Sequence, residues 1–209
     1  HESASEFKNE LTGGGDFHVV SLLHPTPFER ERKAVELASE RDEWKIVRGA
    51  TQLEERDTRG ASLYAGRLND SQKRAVNRAL GAERVMCIHG PPGTGKTQTL
   101  TALIELAVAE GQRVLACAHS NQATDNLLTG GSTTERTDLG SLHATVQRNE
   151  DISMVRVGGH SRNRLVQKHY LGGHHSDADI VGVTANAAAT LPRDDFDVVV
   201  VDEATQASQ

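Results

Sequence analysis

The eight residues Gly90 to Thr97, GPPGTGKT, have the types and spacing that hold the phosphates of a nucleotide. They fit the pattern G-x-x-x-x-G-K-[ST], with Gly90, Gly95, Lys96 and Thr97 at the fixed positions. Consecutive backbone N–H groups curling into a helix N-terminus form an anion nest, and Gly93 and Gly95 permit the dihedrals and close approach it needs. Pro91, Pro92 and Thr94 complete the loop, and Gln98 follows on the first helical turn, so all of Gly90 to Gln98 are candidate nucleotide contacts. Lys96 would neutralise the β and γ phosphates as a point charge, and the Thr97 hydroxyl would ligate Mg²⁺.

A second constellation complements the first. In DFDVVVVDEATQ, Asp195 to Gln206, four valines run into Asp202 and Glu203. An apolar run without alternation predicts a strand covered on both faces, as in a parallel sheet. Ligands of open α/β sheets sit beyond the carboxyl ends of the strands, where Asp202 would emerge beside the phosphate loop. Asp202 would then hold the Mg²⁺ shell, Glu203 would orient or deprotonate the water attacking the γ-phosphate, and Gln206 could report the phosphate state to a neighbouring element.

These groups need a scaffold of alternating strands and helices. ERVMCIH before the loop predicts a buried strand, and TQTLTALIELAVAEG after it predicts a helix with Leu100, Leu103, Ile104, Ala107 and Val108 on its apolar face, ended by Gly111. LNDSQKRAVNRALG predicts an earlier helix, capped by Asp70 or Ser71 and closed by Gly81. RVLACA is a second strand, and HSNQATDNLL turns into a short helix near Ser120 or Asn121. Residues 129–149 read as loop with marginal helix, while SMVRVGG and DIVGVTA give two more strands, the latter with Thr184 at its carboxyl end. The alternation predicts an α/β, doubly wound parallel sheet with helices on both faces. Residues 1–67 are expected to be a small N-terminal appendage: a polar end to residue 17, a short strand at HVVSLL, and a stalk-like helix from Phe28 to about Asp42 with Glu29–Lys33 and Arg32–Glu36 pairs.

The whole composition narrows the function classes. A net charge of −6 argues against a broadly basic nucleic-acid surface, yet leaves room for a local groove of backbone amides, hydroxyls and a few arginines. No apolar run approaches the roughly 20 residues that span a bilayer, so no membrane partner is expected. Cys87 and Cys117 fall in expected core strands, which predicts reduced packing residues and a cytoplasmic setting. His160, His169, His174 and His175 fit no standard metal spacing and read as a Gly-flanked surface loop. The chain starts at His1 and stops seven residues after Asp202, which reads as a segment of a larger parent.

In order along the chain, LNDSQ, GPPGTGKT, VLACAHSNQATDNLL and VDEATQ resemble the motifs of a superfamily 1 helicase, in the branch of the nonsense-mediated-decay helicase, senataxin and the immunoglobulin-mu-binding helicase. The resemblance runs from Leu68 to Gln209 and implies a RecA-like P-loop NTPase domain over residues 68–209. It implies that Gln72 hydrogen-bonds adenine and that Ser120, Asn121 and Thr184 touch the nucleic-acid backbone. ATP with Mg²⁺, single-stranded DNA or RNA as track, 5′-to-3′ movement, and a second RecA-like domain supplying arginine fingers are the further implications. His119 stands where the family usually has proline, VGVTANAAAT matches its motif loosely, and the space in which relatives insert a helical subdomain is short. The rival readings are another P-loop enzyme, such as a kinase or GTPase, and a non-catalytic ATP-gated clamp. A guanine-reading N-K-x-D is absent from the sequence, and a kinase has no use for HSNQATDN.

Overall fold

Four apolar segments pair into one parallel sheet: β1 (Val114–Ala118), β2 (Met154–Arg156), β3 (Ile180–Thr184) and β4 (Val198–Asp202), in the order β2-β3-β1-β4. The structure is a computed structural model that describes residues 29–30, 32–33, 36, 67–82, 85–131, 140–158, 160–192 and 194–206. Around the sheet lie α1 (Asp70–Gly81), α2 (Lys96–Ala109), α3 (Asn121–Thr129), α4 (Leu142–Arg148), α5 (Arg164–His169) and α6 (Ala185–Ala188). This is the α/β, RecA-like P-loop architecture.

Alternation along β1 divides the core. Val114 and Ala116 face one cluster with Leu103, Ile104, Leu127, Leu128 and Leu142, supplied by α2, α3 and α4. Leu115 and Cys117 face a second cluster with Val181, Val183, Leu191 and the partly buried Phe196. Burial pushes the Cys117 thiol up to about 12, so it is an inert packing group. Helix cover on this second face is thinner than expected. Among the described residues it comes from the four-residue α6 and the turn segment that follows.

Helix α2 is buried nearly all round from Thr99 to Ala107, including Glu105. That carboxylate accepts from Arg67 Nη1 at 3.3 Å and from the Thr145 hydroxyl. At the opposite end of the sheet, Arg113 ties three loops together, donating to the carbonyls of His175, Asp195 and Ala178 at 2.7, 2.8 and 3.2 Å.

Several expectations are corrected. Val85 to His89 is not a strand; it runs as irregular chain, and Cys87 is exposed. Among the described residues β4 is an edge strand, and its burial alternates: Val200 is in the core, but Val199 is 58% and Val201 40% exposed. The layer over Leu115 and Cys117 stops short of their partners in β4, so the four valines are not covered on both faces. Helix α1 is capped by Asn69 rather than by Asp70 or Ser71. Within 129–149, Leu142–Arg148 is a helix with a buried first turn, capped by Ser141. His169 ends α5 and packs against His143 and Tyr170, so it is not part of a loop.

Toward the N-terminus, residues 29, 30, 32, 33 and 36 are helical, and Arg32 pairs with Glu36 at 3.7 Å. Arg30 donates to Oδ1 of Asn186 in α6 at 2.8 Å. The polar end, the expected strand at 18–23 and the segment 44–64 lie outside the described residues.

Gly182 sets the distance between α3 and the sheet, because a Cβ there would stand 2.6 Å from Leu128 Cδ1. Gly182→Ala should therefore cost about 1–3 kcal/mol in urea or thermal unfolding through overpacking. An unchanged midpoint would mean that α3 does not seat on β3 this closely.

Candidate nucleotide and strand-contact site

The loop Gly90 to Gly95 leads directly into α2. Gly93 and Gly95 have φ of 78° and 77°, the left-handed region that glycine enters without penalty. At Gly95 a Cβ would also meet Gln72 Nε2 at 2.5 Å, the movable end of a side chain, so the backbone sign requires glycine and the space adds a smaller cost. Thr94 Oγ1 donates to the Pro91 carbonyl at 2.8 Å and tightens the turn. Lys96 Nζ folds back into the loop, donating to the carbonyls of Gly90 and Pro91 at 3.0 and 3.3 Å. Thr97 is half-buried on the first turn of α2.

Gln72 braces this loop from α1. Its Oε1 accepts from Asn69 N at 2.9 Å, closing a capping box, while its Nε2 donates to the Thr94 carbonyl at 3.1 Å. The same approach is fixed one step upstream: Gln98 Nε2 donates to the Arg67 carbonyl at 2.8 Å, and Arg67 reaches Glu105. Gln98 is thus turned toward the chain entering α1, holding the two helices together.

Asp202 ends β4, half-buried. Burial pushes its carboxyl above the ordinary value; the Glu203 carboxylate adds to this, while the Glu203 backbone N–H and the charges of Lys96 and His119 oppose it. The Lys96 contribution means that the cationic tip and the carboxylate lie within electrostatic reach. Glu203, exposed beside it, is the one non-glycine residue at positive φ (51°) among the described residues. Such a conformation costs about 1–3 kcal/mol and is characteristic of functional sites. Its Oε2 lies 3.8 Å from His119 Nδ1, and its carbonyl accepts from Gln206 N at 2.8 Å; the Gln206 residue is exposed.

Sheet register brings the second group of residues alongside. Ala118 pairs with Asp202 on one side and Thr184 on the other, so the carboxyl end of β1 separates the acidic pair from the expected strand contact. Beyond Ala118, Ser120 caps α3 by accepting from Ala123 N at 3.2 Å, and Thr184 caps α6 by accepting from Ala187 N at 3.3 Å. Both hydroxyls therefore serve helix N-termini, where backbone N–H groups gather. Asn121 is exposed on the first turn of α3, its Oδ1 accepting from Arg156 Nη2 at 2.7 Å.

Some of these relations escaped the sequence reading. Asn69-x-x-Gln72 is a capping-box spacing visible in the sequence, whereas nothing there pairs Arg67 with Glu105, Arg156 with Asp125 or His119 with Glu203. Among the described residues, no group of three or more His, Cys, Asp or Glu gathers to hold a metal ion, and no helix is long and apolar enough to cross a membrane.

A phosphate loop opening a buried helix, with an aspartate emerging at a neighbouring strand end, defines a P-loop nucleoside-triphosphatase domain of the RecA-like class. Residues 67–175, more than half of the chain, match the AAA domain family. The chain belongs to that family, as a first RecA-like domain of the superfamily 1 helicase type.

It is 28% identical to the rat DNA-binding protein SMUBP-2 over 99% of this chain and 26% of the relative. It is 36% identical to an uncharacterized ATP-dependent helicase of Methanocaldococcus jannaschii over 69% of this chain and 20% of the relative. With the Saccharomyces cerevisiae DNA replication ATP-dependent helicase/nuclease DNA2, identity is 32% over 68% of this chain and 9% of the relative. The chain thus spans about a quarter or less of the length of these relatives.

Two separable penalties attach to Gly95. Gly95→Ala should lower stability and nucleotide affinity, and adding Gln72→Ala should relieve the steric part while the positive-φ part, about 1–2 kcal/mol, persists. Purely additive losses in unfolding and fluorescent-nucleotide binding would contradict the 2.5 Å approach.

Proposed function

We propose that this chain is the ATP-binding half of the motor of an ATP-dependent helicase or translocase that moves on single-stranded DNA or RNA in the 5′-to-3′ direction. The observation that supports the reading is the sheet register, which sets Asp202, whose carboxyl feels the charge of Lys96, one strand away from Thr184 at the carboxyl edge of one sheet. The names of the relatives, as ATP-dependent helicases and DNA-binding proteins, support it.

In this reading the loop N–H groups and Lys96 bind the triphosphate. Lys96 gives up the Gly90 and Pro91 carbonyls for phosphate oxygens, exchanging neutral acceptors for charged ones. Gln72 selects adenine by releasing Nε2 from the Thr94 carbonyl, which links base recognition to loop shape. The donor set fits Mg²⁺: the Thr97 hydroxyl and the Asp202 carboxylate are hard oxygen ligands, and burial makes a bare Asp202 charge unfavourable without a cation. When bound there, Mg²⁺ neutralises charge on the β and γ phosphates. Glu203 takes the proton of the attacking water from its exposed, strained position, with His119 holding the far carboxylate oxygen. Gln206, hydrogen-bonded through its backbone to Glu203, senses the phosphate state.

Arginines from a second RecA-like domain complete the site, so the 209-residue chain alone binds nucleotide weakly and turns it over slowly. The division into an appendage over residues 1–67 and a motor domain over 68–209, and a cytoplasmic setting, are parts of the same proposal.

Glu203→Gln in the full-length parent should keep ATP affinity while lowering nucleic-acid-stimulated turnover by about 10²- to 10⁴-fold, the range of general base catalysis. Lys96→Ala should lose both. Turnover that survives Glu203→Gln would remove Glu203 as the base, and equal affinity for guanine and adenine nucleotides would remove Gln72 as the base reader.

A further inference from the structure

Asp125 and Arg156 form an ion pair inside the fold that the phosphate chemistry does not use. Arg156 ends β2 and is 2% exposed; Asp125 lies on the second turn of α3 and is 3% exposed. Arg156 Nε donates to Asp125 Oδ1 at 3.1 Å, and the Ser161 hydroxyl donates to Asp125 Oδ2 at 2.7 Å. Arg156 Nη1 donates to the Val157 carbonyl. Removing two charges from water is costly and is offset only when every arm finds a partner, a condition these bonds go far to meet.

The remaining arm leaves the core. Arg156 Nη2 donates at 2.7 Å to Oδ1 of Asn121, an exposed residue on the first turn of α3. The need to satisfy each arm explains an acceptor at every guanidinium nitrogen. The acceptor at Nη2 is a surface amide at the residue expected to touch a nucleic-acid backbone, which links the buried pair to that residue.

Donor chemistry supplies the reason. A guanidinium has only N–H donors, so the amide atom facing it must be oxygen. The Nδ2 group of Asn121 is then the free end, presenting two N–H donors at a helix N-terminus, where backbone N–H groups and the helix dipole also favour an anion. With the amide turned over, its carbonyl would face a phosphodiester oxygen and repel it.

We propose that Arg156 and Asp125 are positioning residues for strand binding, holding Asn121 in the amide orientation that donates to the phosphodiester backbone of single-stranded nucleic acid. The proposal rests on the reading of Asn121 as a strand contact. Asp125 anchors the guanidinium, and the guanidinium dictates which face of the amide is outward. Arginine is required because its fork serves Asp125 and Asn121 at once, whereas a lysine ammonium keeps the charge but not the second arm.

The test measures binding of a labelled oligodeoxythymidine and of a fluorescent adenine nucleotide, with thermal unfolding as a control, in the full-length protein. Asn121→Ala should weaken oligonucleotide binding about tenfold, the scale of one charge-assisted hydrogen bond. Arg156→Lys should weaken it to a similar extent with nucleotide affinity unchanged, and the Arg156→Lys/Asn121→Ala double variant should lose nothing further. Arg156→Met/Asp125→Leu, which replaces the buried pair by apolar groups, should fold and show the same selective loss.

Wild-type oligonucleotide affinity in Arg156→Lys alongside a defect in Asn121→Ala would overturn the positioning role alone. Additive losses, or equal losses of nucleotide and oligonucleotide affinity in both Arg156 variants, would also overturn it by reducing the pair to a structural one. No effect of Asn121→Ala would instead remove the strand-contact reading, and the proposal with it.

Discussion

The pairing register of β1 is the constraint on which the site depends. Ala118 stands opposite Asp202 on one side and Thr184 on the other. With strands about 4.8 Å apart, the acidic pair and the Thr184 cap lie roughly 10 Å from each other across a single strand end. Beyond Ala118 the chain supplies His119, which faces Glu203, and Ser120, which starts α3. One strand end therefore sends consecutive residues to the acidic pair and to the start of α3. A one-residue slip would turn each pleat over, move Leu115 and Cys117 out of their cluster and separate these groups.

Electrostatics then divides the labour around that edge. Lys96 is satisfied by carbonyls of its own loop, so the cation is held ready in the nest. Asp202 is partly desolvated and raised, with Lys96 and His119 opposing the shift. Glu203 occupies a backbone conformation that costs energy, a cost the surrounding β4 ladder and the Gln206 turn must hold in place. On the other flank, the buried guanidinium of Arg156 donates to the exposed Asn121 amide. In the proposed reading, an acidic chain of net charge −6 meets a polyanion by oriented N–H groups at helix starts instead of a basic surface.

What the sequence makes legible follows from how local each signal is. GPPGTGKT, VDEATQ and SNQATD carry their geometry in consecutive residues, and the loop into α2, the end of β4 and the Ser120 cap all stand where their spelling places them. The helix α2 and the strands at 114–118, 154–156 and 180–184 were equally readable from their apolar runs. Signals that depend on neighbours were misread. An apolar run such as Val85 to His89 fixes neither burial nor pairing, and four valines cannot reveal that, among the described residues, β4 is an edge whose outer layer ends at β1. The partnerships of Glu105, Arg156 and His119 span 31 to 84 residues of sequence, and only the assembled sheet brings them within reach.

The central claim is that Lys96 and the Asp202–Glu203 pair act on one metal-bound triphosphate. Its most direct test is a crystal structure of the full-length protein with Mg²⁺ and a non-hydrolysable ATP analogue. The account predicts the γ-phosphate within hydrogen-bonding distance of Lys96 Nζ, with the metal between Thr97 and Asp202 and a water facing Glu203. A triphosphate bound with its γ-phosphate away from Lys96, or with Asp202 and Glu203 turned to a different crevice, would contradict it.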